Sequence, residues 1–235
     1  MSELKIDQRA FWERKILEWE ADRYAGGSAE PRFLERLANK ASGSLRFRIA
    51  VTPKLLAPHV RGKNILDIGC GSGLIAAPLL RHGAASYVGV DIAPSAIANA
   101  RDQAMRSGIS DYATFHVVSV GELATCKADI VVSLGLLDWL SDEELDLVFQ
   151  ASRSGEFFHA IAERRSVPSQ LIHRTYCWLS YGRKNGGYVP RYYTVREMEA
   201  LAKQYHTEPF HIWRDRRLSF GAFFTSLDLS GQSTG

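Results

Sequence analysis

A short apolar run from Asn64 to Ile68 ends in Gly69-Cys70-Gly71-Ser72-Gly73, and a helical pattern begins at Leu74. Three glycines in five residues bring bare main chain to the carboxyl end of a strand. Glycine reaches positive φ without a steric cost, and in open parallel sheets that end of the strands is where ligands bind. The chain then repeats the same rhythm. Tyr87 to Asp91 predicts a strand, Pro94 to Ser107 a helix stopped by Gly108, and Thr114 to Val118 a third strand. The β-branched run Ile130 to Leu134 follows, then Ser141-Asp142-Glu143-Glu144 as a helix start and Phe157 to Ile161 as a fifth strand. Parallel neighbours need crossover connections, so the pattern predicts an α/β fold: a doubly wound, mostly parallel sheet with helices on both faces. Phe210 to Trp213, a turn at Arg214-Asp215-Arg216, and Leu218 to Thr225 predict a closing hairpin, hence an antiparallel last strand.

Two zones depart from this rhythm. Residues 1–58 read as an N-terminal helical cap of three helices. In the first, Trp12, Ile16 and Trp19 share one face up to the stop at Gly26-Gly27-Ser28; the second starts near Pro31, and the third runs from Ser44 through Leu56. Residues 59–228 form the main domain, with a helix from Thr194 to Gln204. An insertion at about 164–193 carries Tyr176, Trp178, Tyr181, Tyr188, Tyr192 and Tyr193 beside Arg174, Arg183, Lys184 and Arg191. The net charge of +3 is too mild to indicate nucleic acid by itself, although Glu163 to Arg217 holds eleven Lys or Arg against five acids. With 46% apolar and 23% charged residues, the chain is neither disordered nor a disulfide-stapled scaffold. Its three cysteines, Cys70, Cys126 and Cys177, are odd in number and widely spaced, which suits a reducing cytosol and gives no metal-ligand spacing. The polar start, Met1 to Gln8, is unlike a secretory leader, and no apolar run reaches the ~18 residues of a membrane span. A cytoplasmic protein without a membrane partner is expected.

The loop separates two classes of cofactor. A pyrophosphate site uses G-x-G-x-x-G, whereas here Leu74 stands where the third glycine would be, and the Asp67 carboxylate would repel a dianion. The same carboxylate suits a cation. S-adenosylmethionine carries a sulfonium and an ammonium and no phosphate, and Asp91, ending the second strand, is placed to hold two ribose hydroxyls.

Asp67-Ile-Gly-Cys-Gly-Ser-Gly73, Gly89-Val-Asp-Ile92 and Ala128-Asp-Ile-Val-Val-Ser-Leu134 resemble the successive motifs of class I S-adenosylmethionine-dependent methyltransferases, a Rossmann-like superfamily. The similarity runs from about Gly62 to Leu140. It implies that Gly69, Gly71 and Gly73, with Cys70 between them, wrap the methionine part, and that Asp67 orders the loop. It further implies that Asp91 takes the ribose, Ile92 packs on adenine and Leu134 lines the methyl-bearing side. Two positions depart from the pattern. Ser119 stands where many relatives place an adenine-binding Asp, which leaves its hydroxyl, Glu122 or the backbone as substitutes, and Asp138-Trp139 replaces a frequent Glu-His.

Methyl transfer to an alcohol or phenol benefits from a base, and Asp138 is the first candidate, with a helix-capping role as its competitor; Tyr24 and His173 are further candidates. His159, within an apolar strand, reads as a core histidine. The insertion reads as a lid over the acceptor, with Trp139, Arg174, Tyr181, Arg191 and Tyr192 as substrate-binding candidates for a small molecule that can carry negative charge. Arg46 and Arg48, on the third cap helix, could approach the cofactor carboxylate. The expected activity is transfer of a methyl group to an oxygen of a sugar, phenol or carboxylate-bearing metabolite. A nucleic-acid methyltransferase lacks support from an Asn/Asp-Pro-Pro-Tyr/Phe-like motif after the fourth strand. It stays open beside a non-catalytic binding module.

Overall fold

The computed structural model describes residues 7–14, 33–123, 127–180, 182 and 188–230; the side chains of 33–42, 169, 173, 176 and 180 lie outside that description. Seven strands form one sheet: β1 (Asn64–Ile68), β2 (Ser86–Asp91), β3 (Ala113–Val117), β4 (Ile130–Leu134), β5 (Glu156–Ala162), β6 (His211–Trp213) and β7 (Gly221–Thr225). Their order is β3-β2-β1-β4-β5-β7-β6. The first five pair in parallel, whereas β7 runs antiparallel to both β5 and β6. After β3 the chain returns to place β4 beside β1, so the connections on either side of that pair lead in opposite directions. A crevice opens at such a reversal, outside the carboxyl ends of the strands.

Alternation along each strand builds a core on both faces. Ile65, Ile130, Val132, Phe158 and Phe223 pack on one side with Val51 and Leu55 of helix α2 (Phe33–Leu56), Leu79 of α3 (Ala76–Arg81) and Ile97 of α4 (Pro94–Arg106). Leu66, Val131, Phe157, Ile161 and Phe224 pack on the other with Val148 and Phe149 of α5 (Asp142–Ser152) and Met198 of α7 (Val195–Ala202). Each fully buried phenylalanine contributes roughly 2 to 3 kcal/mol of apolar transfer.

The cap differs from its expected form. Helix α1 is described over residues 8–14, but the anticipated second and third helices are one 24-residue helix, α2. It runs straight through Gly43 and Pro53, both of which suggest breaks from local preference alone. Tertiary anchoring accounts for this: Ser44 Oγ donates to the Leu218 carbonyl at 2.9 Å, and Val51, Leu55 and Leu56 are buried. The insertion is also more ordered than a loop, since Pro168–Ser180 forms α6, buried at Gln170 and Cys177. The hairpin forms as expected, except that Arg216–Leu218 is a 3-10 turn and the final strand starts only at Gly221. No helix among the described residues is long and apolar enough to cross a membrane.

Candidate active site

A cavity of about 440 Å³ lies over the carboxyl ends of β1, β2 and β4 and extends toward β5 and β7. Its cofactor half is built from main chain. Gly71 donates its N–H to Asp91 Oδ2 at 2.9 Å, and Ala93 donates to Asp91 Oδ1 at 3.0 Å, which ties the loop after β1 to the loop after β2. Burial pushes the Asp91 pKa up and these N–H donors pull it down. Gly73, at φ +68°, requires glycine twice over: its conformation is left-handed, and a Cβ there would sit 2.7 Å from Phe115 Cε1. Gly73 therefore shapes the loop from behind, while Gly69, Cys70 and Gly71 face the cavity.

Asp67 is 2% exposed, and one of its oxygens accepts from the Tyr87 hydroxyl. The other, Oδ1, is buried with no partner among the described residues. Burial, which outweighs the Tyr87 bond, raises its pKa to about 7. A buried carboxylate oxygen in the wall of the cleft is what a cationic ligand would satisfy, so the residues present fit S-adenosylmethionine. Ile92 and Leu134 also line the cavity. Ser119 does not: its hydroxyl bonds Glu122 Oε2 at 2.7 Å as the cap of a short 3-10 turn.

The acceptor half gathers residues distant in sequence. Asp138 lies in a 3-10 turn after β4, 6% exposed, and its Oδ1 accepts from the Ala162 N–H at 2.7 Å. Oδ2 has no hydrogen-bond partner among the described residues, and Asp138 lines the cavity. Burial raises its pKa to about 6, against the opposing influence of the Arg48 cation and the Ala162 N–H. It is not the helix cap, because Ser141 caps α5 by accepting from the Glu144 N–H. The turn carrying Asp138 is braced by the end of the insertion. Arg191 N donates to the Asp138 carbonyl at 2.6 Å, Tyr188 OH to that of Trp139 at 3.1 Å, Tyr193 OH to that of Leu137 at 2.8 Å, and Arg191 Nη1 to that of Leu140 at 3.0 Å.

Over this turn an aromatic cluster closes the cleft. Trp139 meets Trp12 at 5.1 Å, edge-on, and Tyr188 at 5.2 Å between ring centroids, and Phe11 completes the group. Trp139 and Tyr192, two of the substrate-binding candidates, line the cavity. Arg174 and Arg191 instead face a second groove against α7, where Arg191 pairs with Asp142 at 2.5 Å and Arg174 lies over the Tyr192 ring. Tyr24 and Tyr181 fall outside the described residues, as does the His173 side chain. His159 is fully buried, with Nδ1 2.9 Å from Ser133 Oγ, and burial lowers its pKa to about 3. No group of three or more His, Cys, Asp or Glu that could hold a metal occurs among the described residues.

Sequence reasoning missed Phe11, Trp12, Tyr188, Ala162 and Leu218–Gly221 as parts of the site. Only the aromatic richness near Trp12 and in the insertion signalled any of them.

Comparison with known proteins agrees with this geometry. Residues 65–154 match a family model described as a methyltransferase domain. The ribosomal protein L11 methyltransferase of Enterobacter sp. (strain 638) is 42% identical over 74 residues, which is 32% of this chain and 25% of that protein. The chain thus matches about a quarter of the length of such curated relatives. Among solved structures, magnesium protoporphyrin IX methyltransferase from Synechocystis PCC 6803 with bound SAH aligns with a TM-score of 0.65 at 17% identity, over 92% of this chain and 96% of that one. An O-methyltransferase family 2 protein from Planctomyces limnophilus in complex with apigenin aligns at 0.57 and 14% identity, over 80% and 62%. This strand order, this glycine-rich loop and the match over residues 65–154 identify a methyltransferase domain with the fold of the class I S-adenosylmethionine-dependent methyltransferases, whose cofactor is S-adenosylmethionine.

Proposed function

We propose that the protein transfers a methyl group to an oxygen of a small-molecule acceptor, with Asp138 as the proton-accepting group. Bound S-adenosylmethionine would supply the methyl as an electrophile on a sulfonium leaving group. Gly69, Cys70 and Gly71 would lie along its methionine part, Asp67 Oδ1 would face its positive charge and Asp91 its ribose. The chain's own contribution is alignment, exclusion of water and disposal of a proton. One observation carries the oxygen-directed reading. Asp138 is a buried carboxylate held by the Ala162 N–H through one oxygen, while the other has no partner among the described residues in the acceptor half of the cleft. With its pKa near 6 it is ionised at neutral pH and can take the proton of a hydroxyl as the new C–O bond forms. The aromatic cluster of Trp12, Trp139 and Tyr188 keeps that step dry and offers flat surfaces to a ring or sugar. Two fold relatives support a small acceptor, one named for magnesium protoporphyrin IX and one solved with apigenin.

On this reading residues 1–58 cap the cleft and the protein works in the cytoplasm. A protein acceptor is the second reading, favoured by the curated relatives that methylate ribosomal protein L11. Incubation with tritiated-methyl S-adenosylmethionine, followed by separation of small molecules, protein and RNA, tests both. Label in small hydroxylated compounds, lost in Asp138→Asn, supports the proposal. Label only in ribosomal protein would replace it.

A further inference from the structure

Arg48 does not sit where an arginine serving the cofactor would. Its guanidinium crosses the acceptor half of the cleft, from the loop after β4 to the start of β7. A Cβ on Gly135 would lie 2.8 Å from Nη1, and one on Gly221 would lie 3.4 Å from Nη2. Gly135 thus clears room for the end of this side chain, and Gly221 lies in contact range of its other nitrogen. The glycine-rich loop, Asp67 and Asp91 belong to β1 and β2, on the far side of β4 from β7. Ser44, one turn earlier on α2, is bonded to the Leu218 carbonyl, so the helix carrying Arg48 is pinned to the β7 side. The guanidinium makes no hydrogen bond to any described residue, although it lines the cavity. Its electrostatic neighbour is Asp138, which is not in ion-pair contact with it and whose Oδ1 is already committed to Ala162.

A guanidinium offers five donors in a planar fork suited to carboxylate. Leaving that fork unmatched in a largely apolar wall is costly unless an anion arrives to meet it. A carboxylate on Arg48 and a hydroxyl proton on Asp138 are then two features of one molecule. The aromatic walls, Trp12, Trp139 and Tyr188, favour a flat body between them.

We propose that Arg48 is the anion anchor of the acceptor site, and that the acceptor is a planar hydroxylated carboxylate whose carboxylate forks onto Arg48 while its hydroxyl faces Asp138. This rests on the methyltransferase reading above and narrows its substrate class.

The test uses the full chain with a panel of hydroxylated benzoates and cinnamates, each beside its primary amide, in tritiated-methyl transfer, and calorimetry with S-adenosylhomocysteine on each variant. The wild type is expected to label carboxylates in preference to amides. Assayed at pH 8, where Asp138 stays ionised without the neighbouring cation, Arg48→Met should lower kcat/KM for the carboxylates about 10- to 100-fold, lower it far less for the amides and bind S-adenosylhomocysteine as before. Arg48→Lys, which keeps the charge and loses the fork, should fall between and serves if the Met variant does not fold. Amides labelled as fast as carboxylates, or no carboxylate labelled, would overturn the proposal. So would loss of S-adenosylhomocysteine affinity in the variants, which would assign Arg48 to the cofactor. Failure of the wild type to bind S-adenosylhomocysteine would instead overturn the methyltransferase reading itself.

Discussion

The two halves of the cleft are made by different means. Over β1 and β2 the wall is contiguous main chain, Gly69 to Ser72 and Asp91-Ile92, and its hydrogen bonds connect neighbouring strand ends. Over β4, β5 and β7 the wall is side chain, drawn from α1, α2, the turn after β4, the end of the insertion and the segment before β7. A wall of backbone recognises what every member of a superfamily shares. A wall of side chains can be rebuilt without disturbing it. Substitutions should therefore divide cleanly: those in the first half change cofactor affinity, those in the second change turnover.

The largest separation is expected from Asp138→Asn. Turnover should fall about 10²- to 10⁴-fold while affinity for S-adenosylhomocysteine, measured by calorimetry, stays within about threefold. In the wild type kcat/KM should fall as pH is lowered through about 6, because the carboxyl must be ionised to accept a proton, and the asparagine variant should lose that limb. Asp91→Ala should do the reverse. Cofactor affinity should drop roughly 30- to 100-fold through loss of the charged bridge to Gly71 and Ala93, with circular dichroism unchanged. A variant in either half that moved both quantities equally would dissolve the distinction.

The first half was legible in sequence because it is local. Five consecutive residues after a strand, and an acid at the end of the next, carry its whole logic, and β1 to β5 follow from alternation and turn residues alone. The second half was not. Nothing in Trp12, Ala162 or Gly221 taken singly points to a shared pocket, since their meeting depends on the return of the chain to β4 and the antiparallel entry of β7. Asp138 drew attention by its position after β4 as either base or helix cap, and only Ser141, already in the capping role, removes the second reading. Arg174 and Arg191 show the opposite error. Their charge suggested ligand contact, whereas Arg191 spends its donors on Leu140 and Asp142, bracing the turn that holds Asp138. The two-helix reading of α2 divided the helix beside Gly43, a local signal overruled by the tie from Ser44 to Leu218 and the burial of Val51, Leu55 and Leu56.

Smaller effects sharpen the comparison from the stability side. Gly73→Ala should lower the melting temperature by about 3 to 10 °C, since the new methyl collides with Phe115 in a left-handed backbone. Asp67→Asn should separate stability from binding. The folded-state pKa of Asp67, about 7, lies above its unfolded value, so its stabilising contribution is present below about pH 4 and is lost as pH rises through 7. The asparagine variant should thus melt above the wild type at pH 8, with the gap closing toward pH 4, and bind S-adenosylmethionine more weakly above pH 7, where the wild-type carboxylate is charged. Trp12→Ala, which removes one ring of the cluster over Trp139, is the mildest: about a threefold rise in acceptor KM is expected, with cofactor affinity untouched.

The room made for Arg48 also carries an evolutionary consequence. Positions 48, 135 and 221 come from three unconnected stretches of chain but occupy a single volume. An alanine at 135 would displace the end of the long cation, a side chain larger than alanine at 221 would press on it, and a short residue at 48 would leave a void between them. Homologues that change their acceptor should therefore exchange all three positions together, so a covarying triplet among otherwise unrelated alignment columns would mark the branch points where specificity diverged.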